Sequence, residues 1–344
     1  METILRPPGE LHELVVRVLI SAGTAPANAV AVADAVIAAE FDGIPSHGFV
    51  RVPFYADQVS SGKIDGHAVP EVKQTAAAIV NVDARHGFAF PAISAGFGVA
   101  VSLARGAGIA AVGIRNSHHC GVLGHHVERL AQRGLFGLAF ANTPAAMAPW
   151  GGARALFGTN PIAFACPRRA AQPLVVDLSV SVAARGKIVM AAGKNQPIPE
   201  GWALDEFGRP TTDARAALKG TVVPIGGVKG AALALMVEFL SAALTQSHFG
   251  YEASSFFEAT GPPPGVGQLF VMFDTNAFGG GAVLDRIEDL CHAISCEAPA
   301  RIPGERRLAS RANVASNGIS LPKELFDLLQ LRACRRDKIS SGSE

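Results

Sequence analysis

Between residues 118 and 126 the chain places four of its ten histidines. They form two adjacent pairs, His118–His119 and His125–His126, inside the stretch NSHHCGVLGHHVERL. Imidazoles at this density could bind a metal, move a proton, or line a loop that passes a cofactor. A metal would need three or four ligands converging on one point. The second pair falls in a helical pattern, where neighbouring side chains diverge by about 100°. Only one of that pair could share a site with His118 or His119, so zinc is disfavoured and no metal is expected. The alternative is a strand-to-helix loop in which Gly121 and Gly124 allow close backbone approach. Free N–H groups at such a helix start receive phosphate well. His125 and His126 then become surface or packing residues.

Other polar clusters stand among apolar segments. Ser46-His47-Gly48 precedes Arg51 by a few residues in PSHGFVR. An acid–base group beside a guanidinium that can grip a carboxylate suits a small acid substrate. The same residues also fit a serine helix cap followed by an exposed histidine. Thr159 lies in LFGTNP, between two apolar runs, where a simple turn is the other reading. Asp177 ends the apolar run PLVVD, and turn chemistry explains it as well as function does. Lys229 opens a helix in GGVKG, where a cation opposes the helix dipole and an anion could compensate. RIPGERR is either a solvated loop or a phosphate clamp.

Familiar motifs are missing. No G-x-G-x-x-G leaves a strand to open a helix, since GAGIAAVG runs from a helix into a strand. GGVKGA lacks the Walker A spacing, and there is no nucleophile elbow, H-E-x-x-H or EF-hand loop. Any nucleotide must therefore bind without a standard Rossmann turn.

The elements that would carry these clusters follow from periodicity. Over 1–72 the pattern is helical: Leu11, Leu14, Val15, Val18 and Leu19 share one face, an Ala-rich helix follows, and a third is interrupted near Pro53. This region would pack with a C-terminal helical region, 310–344. From 73 to 309 strands and helices alternate, with TAAAIVNVDA read as one strand and a polar insertion around 193–220. The fold class is α/β, shading into α+β, with a mixed central sheet flanked by helices.

Composition bounds the partners. The 344 residues are 49% apolar and 17% charged, with net charge +1. So low a charged fraction suggests surface buried in an oligomer, and without a basic stripe nucleic acid is not expected. Five cysteines without a C-x-x-C pair fit reduced thiols, and the N-terminus does not read as a signal peptide. Apolar stretches such as AALALMVEFL are too short to span a bilayer. A cytoplasmic protein without membrane contact is expected.

Taken in order from about residue 40 to 307, PSHGFVRVPFY, VDARHGFAFPA, NSHHCGVLGHHVE, LFGTNPIAFACP, VVDLSVSVAARGKI, GGVKGAALALMVEFLSAALT and RIPGERR resemble the malate/L-lactate dehydrogenase type-2 family. The resemblance implies a non-Rossmann NAD(P)-binding fold, an NAD(P)H-dependent oxidoreductase and a homodimer. It assigns proton transfer to His47 with Ser46, and places Lys187 where a ketimine reductase carries a relay Asp. Substrate contact falls to Arg51, Thr159, Arg185 and Gly186. The cofactor, NADPH or alternatively NADH, would lie along His119, Cys120, Gly121, Val122 and Leu123, then Asp177, Leu178 and Ser179, then Val228 and Lys229. It would end on Arg301, Ile302, Pro303, Gly304, Glu305, Arg306 and Arg307. Within the family, the helix after GGVKG and the RHGFAFPA segment look most like the Δ1-piperideine-2-carboxylate/Δ1-pyrroline-2-carboxylate reductases, acting on cyclic imino acids. A malate- or lactate-type 2-hydroxy-acid dehydrogenase, taking a 2-keto acid, is the alternative. Two departures are Lys187 itself and Val228, where a His is usual.

Overall fold

The computed structural model describes residues 2–334. The chain opens with β1 (Thr3–Arg6), α1 (Pro8–Ser21) and α2 (Pro26–Phe41), then 3-10 turns over Pro45–His47 and Phe49–Arg51, then α3 (Val52–Ser60). A central run follows: β2 (Glu71–Ala76), β3 (Ile79–Asp83), α4 (Ala89–Ala107), β4 (Ile109–Ser117), α5 (Leu123–Ala131), β5 (Leu135–Ala141), β6 (Ile162–Cys166) and β7 (Leu174–Leu178). Next come α6 (Arg185–Gly193), β8 (Ala203–Leu204), β9 (Pro210–Thr211), α7 (Ala214–Lys219) and β10 (Thr221–Val222). The last elements are α8 (Val228–Glu238), which runs into a π turn at Phe239–Ala243, then β11 (Val266–Asp274), α9 (Gly281–Cys296), α10 (Glu305–Asn317), β12 (Ile319–Pro322) and α11 (Lys323–Ala333). The expected C-terminal helix over 310–344 is thus two helices split by a strand, and its residues 335–344 lie outside the described residues.

The helical N-terminus forms because its apolar stripes have somewhere to go. Leu11, Leu14, Val15, Val18 and Leu19 of α1 are buried, together with Val32 and Val36 of α2 and Phe326 and Leu329 of α11. β1 pairs antiparallel with β12, so the two chain ends close on the same core. Pro53 does not interrupt the third helix. It sits in the first turn of α3, where a missing N–H costs nothing. The break falls earlier, at Gly48, because a Cβ there would collide with the Glu40 carboxylate, which accepts the Phe49 N–H at 2.8 Å.

Seven strands form the main sheet in the order β2-β3-β4-β11-β5-β6-β7. Only β3 and β4 pair in parallel, linked by the crossover helix α4; the other neighbours are antiparallel. The stretch read as one strand is a hairpin, with β2 and β3 joined at residues 77–78. Its alanine run carries no turn signal, so the pattern alone read through it. One sheet face is covered by α4 and α5, whose Ile93, Phe97, Leu123, Val127 and Leu130 pack on Val112, Ala139 and Phe270. α4 is long and apolar enough to cross a membrane by composition, yet half of it is buried as a core helix. Val237 of α8 packs on Phe140 and Leu269. The 193–220 segment folds as a three-stranded sheet, β10-β8-β9, with α7. Its Ile198, Ala203, Ala214 and Ala217 share a small core with Met147, Val180 and Ile188.

The alternating strand directions have one consequence for function. The C-terminal ends of β4, β5 and β7 and the N-terminal ends of β6 and β11 all lie at the same edge of the sheet. The loops that carry His119, Thr143, Thr159 and Ser179 leave or enter that edge.

Candidate active site

A cleft of about 470 Å³ opens at this edge. Its walls include His47 from the N-terminal region, His119 after β4, Thr143 after β5, Thr159 before β6, Ser179 after β7, and Arg185 and Gly186 at the start of α6. Segments distant in sequence thus bring five of the expected catalytic and substrate positions, His47, Thr159, Arg185, Gly186 and the neighbouring Arg51, to one place.

The His47 ring is half-buried, and its Nδ1 lies 3.0 Å from Ser46 Oγ. Arg51 donates Nε to the Ser46 carbonyl at 2.9 Å, and its guanidinium covers Phe257 at 4.5 Å from the ring centroid. Its Nη1 is buried with no hydrogen-bond partner, a donor left for an incoming anion. Burial and the Arg51 charge hold the His47 pKa down at about 4, so the imidazole is neutral at physiological pH.

Helix α3 fixes the opposite wall. Gln58 donates to the Phe256 carbonyl at 2.8 Å. The buried Lys63 ammonium donates to the carbonyls of Ser255 and Glu258 at 2.6 and 3.0 Å. A second fixture is Glu238, 2% exposed at the end of α8. It accepts from Asn160 Nδ2 at 3.0 Å, from the Gly250 N–H at 3.1 Å and from Asn142 Nδ2 at 3.3 Å. The Gly158-Thr159-Asn160 loop is locked this way, and the Thr159 N–H donates to Thr143 Oγ1 at 2.9 Å.

The expected cofactor segments lie side by side. Asp177, exposed at the end of β7, accepts the Gly124 N–H at 2.7 Å, joining the DLS segment to the first turn of α5. Gly304 approaches the Val175 carbonyl of β7, and a Cβ there would sit 3.6 Å away. Ser181 bridges to Pro224 just before Val228 and Lys229, both exposed at the start of α8. The residues suit a dinucleotide, with two reservations. Cys120 and Leu123 point into the core, so only their backbone is offered. Arg307 is also buried, turned toward Asp42 and Glu128 at 3.8 and 3.6 Å, with Nε and Nη2 unpaired by hydrogen bonds. Arg301 and Arg306 remain exposed beside Gly304, which takes φ +97 at the start of α10. An anion fits this arginine-lined helix start.

Lys187 requires a correction. Its Nζ lies 5.6 Å from the Trp202 ring centroid and the residue does not line the cleft, so no direct catalytic contact follows. α6 turns Arg185 and Gly186 toward the cleft, and the next residue projects onto the neighbouring insertion.

Three of the four clustered histidines are spent singly. His118 Nε2 meets Gln58 Oε1 at 2.6 Å, His119 Nδ1 meets the Tyr55 hydroxyl at 2.7 Å, and His126 Nε2 meets the Cys120 carbonyl at 2.8 Å. Among the described residues no three His, Cys, Asp or Glu side chains gather as metal ligands. Burial lowers the pKa of His118 and His126 to about 3, and that of His119 well below its usual value. Folded protein therefore binds fewer protons than unfolded chain below the ordinary histidine value. Stability is fully present above about pH 6.5 and is lost as pH falls below it, by about 1.4 kcal/mol per pH unit for each histidine. Urea denaturation should show a lower midpoint at pH 5.5 than at pH 7.5; an unchanged or higher midpoint contradicts this.

The family model for malate/L-lactate dehydrogenase matches residues 7–330. The chain belongs to that family. A (2R)-3-sulfolactate dehydrogenase (NADP(+)) from Chromohalobacter salexigens is 51% identical, covering 95% of this chain and 97% of that one. A Δ1-pyrroline-2-carboxylate/Δ1-piperideine-2-carboxylate reductase from Pseudomonas syringae pv. tomato is 38% identical, covering 93% and 94%. The crystal structure of Δ1-piperideine-2-carboxylate reductase from the same organism superposes with a TM-score of 0.91 at 37% identity, covering 96% and 99%. The malate/L-lactate dehydrogenase fold, a mixed sheet flanked by helices, is thus established for this chain, and it is an oxidoreductase.

Proposed function

We propose that this enzyme is an NADP(H)-dependent dehydrogenase interconverting a small 2-hydroxy acid and its 2-oxo acid, with a second anionic group on the substrate, as in sulfolactate. The observation that carries the reading is the cleft itself: a neutral imidazole, His47, and the Arg185 guanidinium share its lining, and Arg51 beside His47 keeps an unpaired donor. Arg51 and Thr159 would hold the C1 carboxylate. Arg185 spends one nitrogen on the Leu218 carbonyl at 2.9 Å and keeps the rest of its fork for the second anion.

Alcohol chemistry needs a base for the hydroxyl proton. His47 Nε2 would take it, and Ser46 Oγ would steady the imidazolium through Nδ1. The nicotinamide cofactor, when bound, supplies the hydride-accepting centre for C2. NADP(H) is favoured by the name of the 51% identical relative and by the exposed Arg301 and Arg306, which suit a 2′-phosphate. Segments 119–123, 177–179, 228–229 and 301–306 would hold it.

Cyclic ketimine reduction is the second reading, favoured by the close superposition on the Pseudomonas syringae enzyme. A ketimine can arrive already protonated on nitrogen, so hydride addition gives the amine without a general acid. The Ser46–His47 pair has more to do on an alcohol. Arg185→Ala tests the second-anion role. It is expected to raise KM for sulfolactate about tenfold or more and leave KM for lactate within a factor of two. Equal effects on both would remove Arg185 from second-anion binding.

A homodimer is also proposed. Val228, Leu233, Met236, Phe239 and Leu244 are 38–64% exposed along α8 and its π turn, an apolar stripe that a second copy would cover. Sedimentation velocity should give twice the chain mass of 35.6 kDa; a monomer at micromolar concentration contradicts it.

A further inference from the structure

Phe257 lines the cleft with 49% of its surface exposed. Its loop, between the π turn and β11, is tied to the end of α3 by side chains nearly 200 residues away. Gln58 donates to the Phe256 carbonyl at 2.8 Å, and Ser61 Oγ to the Ala259 carbonyl at 2.5 Å. Lys63 Nζ donates to the carbonyls of Ser255, Glu258 and Thr260 at 2.6, 3.0 and 3.4 Å. Lys63 is 2% exposed, and a buried ammonium is costly unless its protons are taken. Here three carbonyls take them. The Phe257 N–H itself donates to Ser255 Oγ at 3.1 Å. Loops around a binding site are usually the mobile part of a fold. This one is fixed on both sides of Phe257.

The ring so placed meets the Arg51 guanidinium, whose central carbon lies over it at 4.5 Å from the centroid. Phe54, in the first turn of α3, backs the ring edge-on, with centroids 5.5 Å apart and planes at 89°. An arginine that is to receive a planar carboxylate through parallel N–H bonds must be held in orientation. A hydrogen-bonding partner would hold it by consuming the donors the carboxylate needs. An aromatic face attracts the cation through its quadrupole and leaves the N–H groups free. Arg51 shows that division of labour. Its Nε is used on the Ser46 carbonyl, its charge lies over Phe257, and its Nη1 is buried without a hydrogen-bond partner.

We infer that Phe257 is a positioning residue for substrate recognition: its ring holds the Arg51 guanidinium in place and leaves the remaining donors for the substrate carboxylate. Phe257 acts through Arg51 and takes no part in proton or hydride transfer. The inference rests on the reading of Arg51 as the carboxylate donor, which the hydroxy-acid and cyclic-imine readings share. A packing role would show in stability. This role shows in KM, because a guanidinium free to swing must be ordered again each time a carboxylate binds.

Steady-state kinetics test it, using the carboxylate substrate that turns over fastest. Phe257→Leu is expected to raise KM about tenfold, with kcat within about threefold and NADPH binding unchanged. Phe257→Tyr and Phe257→Trp keep an aromatic face and should hold KM within about threefold of the parent. Adding Phe257→Leu to Arg51→Met should raise KM by less than about twofold more, because the ring then has no cation to hold. A leucine variant with the parent KM, a tyrosine variant as impaired as the leucine variant, or KM effects that multiply in the double variant would overturn the proposal. Failure of the underlying reading gives a different result: Arg51→Met alone would then keep the parent KM, which removes the carboxylate grip and the inference built on it.

Discussion

Replacing His47 by alanine is expected to lower kcat by about 10²–10⁴-fold while NADPH binding survives. His47 enters the cleft from the loop after α2, not from the segments proposed to hold the cofactor, and Ser46 is its side-chain hydrogen-bond partner. Removing the imidazole leaves the guanidinium of Arg51, proposed to hold the substrate carboxylate, attached to the Ser46 carbonyl, so KM should move far less than kcat. The low pKa adds a pH signature. With a base held at about 4, kcat/KM for the hydroxy acid should stay flat from pH 8 down to about 5.5 and fall only below that. Stopped-flow or steady-state assays across this range, with cofactor binding followed by fluorescence, test both statements. Lost NADPH binding in the variant, or an acid limb centred on 6.5, would contradict them.

The largest expected effect on stability lies away from the cleft. Arg311 of α10 donates Nε to Asp42 at 2.5 Å and forks onto both Glu128 oxygens at 2.8 and 2.6 Å. Both carboxylates are buried, at 6% and 3% exposure. Asp42 caps the end of α2 just ahead of the Ser46–His47 loop, and Glu128 lies on α5 behind the His119–Leu123 loop. One guanidinium thus fastens three segments that carry the site. Arg311→Met should cost about 3–5 kcal/mol, because two buried carboxylates lose their partner. Burial lifts the Asp42 pKa even beside Arg311, and without Arg311 this carboxyl should take up a proton more readily still. Groups whose folded pKa lies above the unfolded value gain stability as pH falls, so the deficit of the variant should shrink from pH 7 to pH 5. Denaturant titration of both proteins at the two pH values decides this; a loss below 1 kcal/mol, or a deficit that grows on acidification, would contradict it.

The positions proposed for the site were legible because their signals are local. A Ser-His-Gly beside an arginine, a Thr-Asn after a glycine and a carboxylate ending an apolar run each stand out against apolar neighbours. Periodicity likewise placed α1 and the strong helix after GGVKG. What escaped has no local signal. Gln58 and Lys63 look like solvated helix-end residues, yet they anchor carbonyls nearly 200 positions away. Glu238 reads as a blemish in an apolar helix and is the acceptor that locks the Thr159 loop. Tyr55 sits in the helix after Arg51 with nothing in its neighbourhood to tie it to His119. RIPGERR showed its charge but not its direction, and only packing against Asp42 and Glu128 turned Arg307 inward. The β2–β3 turn was invisible for a different reason: three alanines fit a strand and a tight turn equally well.

The cleft is proposed to take a 2-hydroxy acid with two anionic ends. Purified enzyme should be assayed with NADP+ and sulfolactate, malate and lactate, and with NADPH and Δ1-pyrroline-2-carboxylate or Δ1-piperideine-2-carboxylate. The account predicts that kcat/KM for sulfolactate exceeds that for lactate and for both cyclic imines by tenfold or more. Turnover confined to the cyclic imines would contradict it.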